Sequence, residues 1–139
     1  MMSSIKWDYI LVRTEAGVLK IVRQEDIVFV QGGRSATLLQ TTKEDFILSQ
    51  PMIEVEKKLN DKIFIRVSKS NIVNLYHADK IMGRSIVFTV NDKEVQIEIS
   101  RRIWRRIHSF LPIVGIRERV VKDRQNEVFQ RIDRLQDDV

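Results

Sequence analysis

The sequence predicts a mainly β protein with about ten short antiparallel strands, two short helices and a C-terminal helical tail. Three observations predict this fold class. Short runs of β-branched and aromatic residues recur between clusters of Gly, Asn, Asp and Ser. Before residue 112, only two segments place apolar residues at helical spacing. Helical spacing returns in a highly charged background over residues 117–136.

Five strands are predicted in the first half of the chain. They cover residues 9–13, 18–22, 27–31, 36–41 and 45–49. The first two flank a hairpin turn at residues 14–17, where Gly17 tolerates a positive φ. The third and fourth flank residues 32–35, where two glycines precede Arg34 and Ser35. This loop either serves as a simple turn or lets the backbone approach a phosphate closely.

A short helix is predicted next, beginning at Pro51 with Ser49 or Gln50 as its cap. Apolar residues recur on one face of this helix, and Glu56 interrupts them. We interpret the helix as a structural brace for the sheet. Its charged residues, Glu56 included, are interpreted as solvated.

The central stretch, residues 64–75, contains two short apolar runs separated by a polar connection. The connection consists of Ser68, Lys69, Ser70 and Asn71, which are hydrogen-bonding turn residues. A loop with a cation and short donors and acceptors suits phosphates and base edges better than apolar ligands. The alternative is an ordinary polar turn between two strands.

The last helix of the domain is predicted over residues 101–111, with Ser100 as its N-cap and Pro112 at its end. The strands before it are predicted at residues 78–82, 85–90 and 94–99. One face of the helix is apolar, and the opposite face carries Arg101, Arg102, Arg105 and Arg106. Cations in a first helical turn oppose the helix dipole by about 0.3–1 kcal/mol each unless an anion binds there. A solvated charged face is the alternative.

The net charge of +5 lies entirely within residues 1–112, because the charges of the remaining residues cancel. Residues 62–84 contain five cations and a single carboxylate. The excess therefore clusters around the candidate contact regions, as expected for a polyanionic partner.

Together, these segments resemble the LytTR family of bacterial DNA-binding domains, known as output domains of response regulators. The family's central signature begins with an aromatic residue, a hydrophobic residue and Arg and ends with Val-Asn, and it is similar to residues 64–74. Its hydrophobic-Ser-Arg motif before the last helix is similar to residues 99–102. Its early Asp-Ile-hydrophobic-aromatic strand is similar to residues 26–29. The motifs agree in order and spacing over about residues 17–111.

The resemblance implies an elongated β domain and a sequence-specific transcriptional regulator whose loops enter successive major grooves of double-stranded DNA. The expected contact residues are Arg34, Ser35, Ser68, Lys69, Ser70, Asn71, Ser100, Arg101, Arg102 and Arg105. Lys69 and Arg102 take positions at which family members read bases. The neighbouring arginines and Arg66 are expected to contact phosphates or support the structure. Ser68 stands where a His is frequent, and Ala36 stands near a usually aromatic position.

The composition predicts no enzyme, no catalytic residue, no metal ion and no cofactor. His77 and His108 are too far apart in sequence to show metal-ligand spacing. No glycine-rich phosphate loop or nucleophile elbow is present. The chain lacks Cys, which is compatible with a reducing cytoplasm, and its apolar runs are too short to span a membrane. We therefore expect a soluble cytoplasmic protein with no membrane contact.

The predicted organisation is one DNA-binding domain, residues 1–112, and a charged helical tail, residues 113–139. The tail packs on its own domain, forms a homodimer contact or frays. The expected partner is duplex DNA with a repeated promoter site. The alternatives are a protein-interaction module or inhibitor that pairs with another regulator, and RNA binding, which the lack of an aromatic stacking motif disfavours. The length leaves no room for a receiver domain, so a stand-alone regulator and an excised output domain both remain open.

Overall fold

The prediction of a mainly β fold with two short helices is confirmed. The computed structural model describes residues 8–115, and all ten strands of this part lie in the compact unit that ends at Ile107. The strands are β1 (Tyr9–Arg13), β2 (Leu19–Arg23), β3 (Ile27–Gly32), β4 (Thr37–Thr41), β5 (Asp45–Leu48), β6 (Phe64–Ser68), β7 (Asn71–Asn74), β8 (Ala78–Met82), β9 (Ser85–Val90) and β10 (Lys93–Glu98). The α-helices are α1 (Met52–Glu56) and α2 (Arg101–Phe110), and short 3-10 turns cover Gln24–Asp26 and Leu75–His77. The tail helix predicted over residues 117–136 lies outside the described residues.

The ten strands form three antiparallel sheets. β1 and β2 pair as a two-stranded ribbon. The central sheet has five strands in the order β5-β4-β3-β7-β6, and the third sheet has the order β10-β9-β8. Local turns connect most neighbours: Gly17 adopts φ 81°, and Asn91 and Asp92 adopt φ 51° and 63°. Two consecutive positive φ values are the signature of a type I′ hairpin turn, which matches the twist of the flanking strands.

The central sheet is buried on both faces. Val30 and Ile72 pack on one face in a cluster with residues of β1, β2 and α1. Phe29 and Val73 pack on the other face with residues of β9, β10 and α2. The rings of Phe29 and Phe88 are 5.9 Å apart between centroids, in a tilted arrangement. Because side chains alternate between the faces of a strand, both clusters hold the same sheet, which becomes a rigid platform for its turns.

Several element boundaries differ from the prediction by one residue, and two of these differences have a clear local cause. Pro51 is the N-cap of α1 rather than its first residue; its ψ is 154°, and no side chain caps the helix. The predicted cap by Ser49 or Gln50 is therefore wrong, because the Pro51 carbonyl already accepts the first backbone bonds of the helix. β2 begins one residue later than predicted, because the Val18 N–H donates to a side chain in the preceding turn. Neither helix of the described part is long and apolar enough to cross a membrane.

Candidate nucleic-acid interface

Two hairpin turns of the central sheet lie side by side at one end. Residues 33–36 join β3 to β4, and a two-residue turn joins β6 to β7. β3 and β7 pair directly, with Gln31 opposite Asn71, so both turns leave the sheet at the same end. The Gly32 N–H donates to the Ser70 carbonyl at 2.8 Å, which extends this pairing into the turn. The structure thus brings together two of the three predicted contact segments.

The third segment, Ser100 with the start of α2, lies beside the edge strand β6. The Ser100 N–H donates to the Val67 carbonyl at 2.8 Å. Ser100 caps α2 as predicted: its hydroxyl accepts from the Ile103 N–H at 3.4 Å and its carbonyl from the Trp104 N–H at 2.8 Å. The three segments therefore form a row along one end of the central sheet. With strands about 4.8 Å apart, this row is roughly 15–20 Å long.

Hydrogen bonds fix the shape of the β6–β7 turn. The Ser68 hydroxyl accepts from the Ser70 N–H at 3.3 Å and from the Asn71 side-chain amide at 3.0 Å. Ser68 and Asn71 are half-buried and shape the turn, whereas Lys69 and Ser70 are exposed at its tip. The turn therefore presents one cation and one hydroxyl to solvent within a fixed frame.

Arg66 supports the same turn from its flank. Its guanidinium donates to the carbonyls of Ser68, at 3.2 Å, and Lys69, at 2.7 Å. A third bond, of 3.1 Å, reaches the carboxylate of Glu56 at the end of α1. From the sequence, Arg66 was expected either to contact a phosphate or to support the structure. The three hydrogen bonds favour the structural role. The interpretation of Glu56 as a solvated charge is wrong; its position within the apolar stripe of α1 was the available signal.

The glycines of the β3–β4 connection have packing and turn roles. A Cβ added to Gly32 would lie 3.1 Å from the Met52 Cβ, so the close approach of α1 to β3 favours glycine. The Gly33 N–H donates to the Ala36 carbonyl at 2.8 Å and closes the turn. The sequence allowed either a simple turn or a close approach of the backbone to a phosphate, and these contacts favour the simple turn.

A surface depression of about 480 Å³ lies between the two turns and the start of α1. Its lining includes Arg34, Ser35, Arg66, Lys69 and Ser70. Arg34 and Ser35 are exposed at the tip of the β3–β4 turn, as Lys69 and Ser70 are at the neighbouring tip. Each turn thus offers a cation and a hydroxyl, the donor types that contact DNA phosphates.

The start of α2 presents three exposed arginines, Arg101, Arg102 and Arg105. Its first turn contains no acidic residue. The buried face carries Ile103 and Ile107, which fix the direction in which the arginines face solvent. Within residues 8–115, these arginines form no ion pair, and neither do Arg34 and Lys69 at the two turns.

Three of the five cations within residues 62–84 form ion pairs, so the local excess of positive charge is smaller than the sequence indicated. Lys80 lies 4.0 Å from Glu94, and Arg84 lies 3.4 Å from Glu98, in each case across the third sheet. Arg66 is paired with Glu56. The positive potential of the candidate interface therefore comes from its two turn tips and the start of α2.

Comparison with known proteins identifies the family of this chain. The pattern of the family described as LytTr DNA-binding domain matches residues 17–111. The chain belongs to the LytTR family. This match confirms the resemblance, and its range includes all three predicted contact segments. The LytTR family is a regulatory DNA-binding family rather than an enzymatic one.

Curated relatives of this LytTR chain are regulators. It is 30% identical over 63 residues to the sensory transduction protein LytR of Staphylococcus saprophyticus, which covers 45% of this chain and 25% of that protein. It is 26% identical over 97 residues to the heme-containing CO-sensing transcriptional regulator RcoM 2 of Paraburkholderia xenovorans, covering 68% of this chain and 36% of that protein. The chain thus spans about a quarter to a third of the length of these relatives.

A solved structure shares the fold. The LytTr DNA-binding domain of a methyl-accepting/DNA response regulator from Bacillus cereus superposes with a TM-score of 0.58 at 17% identity, covering 76% of this chain and 99% of that one. The likeness extends over nearly all of that domain. The family match identifies a DNA-binding domain, and the solved structure shares its fold.

Proposed function

We propose that this chain is a sequence-specific regulator that binds duplex DNA through the row of three segments at one end of the central sheet. The observation that carries the proposal is the pair of backbone bonds, from Gly32 to Ser70 and from Ser100 to Val67, that join these segments. Segments far apart in the sequence thereby present their donors on one surface. The cations of these segments form no ion pair within residues 8–115, and a surface of this kind suits the many phosphates of DNA better than it suits a small ligand.

The length of the row allows contact with successive major grooves when the DNA is bent. Successive major grooves on one side of straight B-DNA lie about 34 Å apart. The row is roughly 15–20 Å long between backbones, and arginine side chains extend it at both ends. Contact with both grooves therefore requires the DNA to bend toward the protein, and the cost of bending adds sequence dependence at bases that are not contacted.

Roles within the row follow from exposure and geometry. Lys69 stands at the tip of the most firmly held turn and is assigned to base reading. Arg102 is assigned to guanine, whose two acceptors match a guanidinium. Arg34, Arg101 and Arg105 are assigned to phosphates, together with the hydroxyls of Ser35, Ser70 and Ser100.

The start of α2 supports an anionic partner in a second way. Arg101 and Arg102 lie in its first turn, where their charges oppose the helix dipole. A phosphate at this position interacts favourably with the arginines and with the free N–H groups of the helix. DNA binding therefore relieves an arrangement that is unfavourable in the free protein.

The proposal includes a repeated promoter site bound by two copies of the chain. One row carries few base-reading side chains and therefore reads only a few base pairs. A genome contains many competing sites, so a regulator must distinguish its target from all of them. Two copies bound to repeated half-sites read more base pairs than one copy and therefore distinguish the target better. The function implies action in the cytoplasm, where bacterial DNA lies.

The test is selection from a pool of random duplexes at two salt concentrations, followed by sequencing. Enrichment of a short repeated motif at the higher salt supports base-specific recognition and gives the half-site spacing. Binding with a steep salt loss and no enrichment reduces the function to electrostatic attachment. Preference for single strands or RNA contradicts the proposal. No binding at all favours the other candidate, a protein-interaction module or inhibitor that pairs with another regulator.

Arg102→Ala tests the assignment within α2. It is expected to cost about 1–3 kcal/mol on the selected site and to relax one base preference, because a guanidinium pairs with both acceptors of guanine. The matched variant Arg105→Ala, on the same helix, is expected to weaken binding equally on selected and scrambled duplexes. Equal loss on both duplexes for Arg102→Ala would assign Arg102 to a phosphate instead.

A further inference from the structure

We propose that Glu56 and Arg66 form a positioning pair that fixes the β6–β7 turn for base reading by Lys69, an inference that rests on the proposed function. The pair joins α1 to the turn through the 3.1 Å bond between the Arg66 guanidinium and the Glu56 carboxylate. Neither residue is assigned a contact with a base. They act through Lys69.

The guanidinium of Arg66 donates three hydrogen bonds, and two of them hold the turn. It donates to the carbonyls of Ser68 and Lys69 in the turn and to Glu56 in the neighbouring helix. Such a set needs the planar fork of arginine, whose donors point in several fixed directions; a lysine ammonium is a compact charge on a flexible stem. Glu56 accepts from Nη1, whereas Nε and Nη2 donate to the two carbonyls, so the carboxylate fixes the guanidinium through the nitrogen that the turn does not use.

Base reading needs this accuracy more than phosphate binding does. A donor distinguishes bases only when it lies within about 2.7–3.2 Å of its acceptor and is well aligned. Phosphates attract a cation from many directions, and a shift of the turn by an ångström leaves most of that attraction intact. Loss of the pair is therefore expected to lower selectivity before it lowers general affinity for DNA.

The carboxylate itself points to this role. Arg66 lines the depression next to Lys69, so Glu56 places a negative charge near a surface that binds a polyanion. A carboxylate at that position repels phosphates. Its presence is explained if it is needed to hold Arg66. The side chains of Arg66 and Glu56 are 39% and 37% exposed, so a direct phosphate contact by Arg66 must be tested against the positioning role.

The experiment compares Glu56→Gln and Arg66→Lys in the full chain with Lys69→Ala. The matched control is Glu54→Gln, which removes one carboxylate from the same helix, there paired with Lys57 at 3.5 Å. Each variant is passed through the random-duplex selection, and its affinity is measured for the selected and a scrambled duplex. Thermal unfolding is recorded for every variant.

The pair is expected to control the same bases as Lys69. Because the pair is partly exposed, Glu56→Gln should lower the ratio of selected to scrambled affinity by about two- to fivefold. Arg66→Lys loses the guanidinium fork and should lower the ratio about tenfold. In both variants the preference should relax at the base positions affected by Lys69→Ala and persist at those affected by Arg102→Ala. Glu54→Gln should keep the wild-type preferences.

Two results overturn the inference and one overturns its foundation. If Glu56→Gln binds both duplexes more tightly with unchanged preferences, Arg66 contacts phosphate and Glu56 merely competes. If both variants keep the wild-type preferences while the wild-type chain selects a motif, the pair positions nothing and the proposed function stands. If the wild-type chain selects no motif, the proposed function fails and the inference fails with it. If the Arg66→Lys variant unfolds, the Glu56→Gln variant still tests the inference, because a substitution at this partly exposed position is expected to leave the chain folded.

Discussion

The two turns at the end of the central sheet are held very differently. In the β6–β7 turn, the Ser68 hydroxyl accepts two hydrogen bonds and the Arg66 guanidinium donates to two carbonyls. In the β3–β4 turn, a single bond from Gly33 to Ala36 closes the loop, and Arg34 and Ser35 stand exposed beyond it. The proposed DNA interface thus contains one rigid turn tip and one loosely held turn tip.

This difference suggests separate roles for the two turns in the proposed binding of DNA. A rigid tip has lost its conformational freedom during folding, so ordering it on DNA costs little and its donors keep their alignment. A loosely held tip can adapt to phosphates, which carry little sequence information but fix register and orientation. We therefore expect selectivity to come from the β6–β7 turn and general affinity from the β3–β4 turn.

Removing the cation of the rigid tip is the change with the largest expected effect. Lys69→Ala should cost about 1–3 kcal/mol on the selected duplex and much less on a scrambled one, because a base contact is lost. Dissociation constants on both duplexes measure the difference. A uniform loss would place Lys69 on a phosphate and remove the contrast between the two turns.

Removing the internal acceptor of the rigid tip has a smaller expected effect. Ser68→Ala leaves the Ser70 N–H and the Asn71 amide without this acceptor, which should lower the free energy of unfolding by about 1 kcal/mol. The melting temperature should fall by roughly 3–5 °C, and base preference should relax as in Lys69→Ala.

The control is Thr89→Ala, which removes an exposed hydroxyl bond to Asp79 in the third sheet. It should leave base preference unchanged, whatever it does to the melting temperature. Unaltered preference in Ser68→Ala would show that the turn keeps its shape without this hydroxyl.

Removing the cation of the loosely held tip has the smallest expected effect. Arg34→Ala should weaken binding to every duplex by about 1 kcal/mol or less and reduce the slope of log affinity against log salt by about 1. Lys43→Ala is a matched control, because Lys43 is an exposed cation in the β4–β5 turn at the opposite end of the sheet. A sequence-dependent loss in Arg34→Ala would make this turn a second base reader.

Most of the fold was predictable because its signals are local. Alternating apolar residues mark the strands, and Gly17 marks a turn that needs a positive φ. Ser100 was recognisable as a cap because a short polar residue precedes a helical apolar face. The expected contact segments were found from residue type and order, and the structure gathers them along one end of the sheet.

The partners of charged side chains were not predictable, because they come from distant parts of the chain. Glu56 and Arg66 are ten residues apart, on a helix and a strand that the sequence does not place together. Lys80 and Arg84 were counted toward the local excess of positive charge, but they lie within ion-pair distance of Glu94 and Glu98 across the third sheet. Only sheet order and register reveal which charges remain available for DNA.

The bond from the Gly32 N–H to the Ser70 carbonyl makes the two turns one unit of fixed width. The distance between the two tips depends on the strand spacing, about 4.8 Å per strand. It does not depend on which residues occupy the tips. Substitutions at Arg34, Ser35 or Lys69 can therefore change what is recognised without moving the frame. An insertion in either turn would shift one tip against the other. We expect relatives with new target sites to diverge by exchanging tip residues while keeping turn lengths constant.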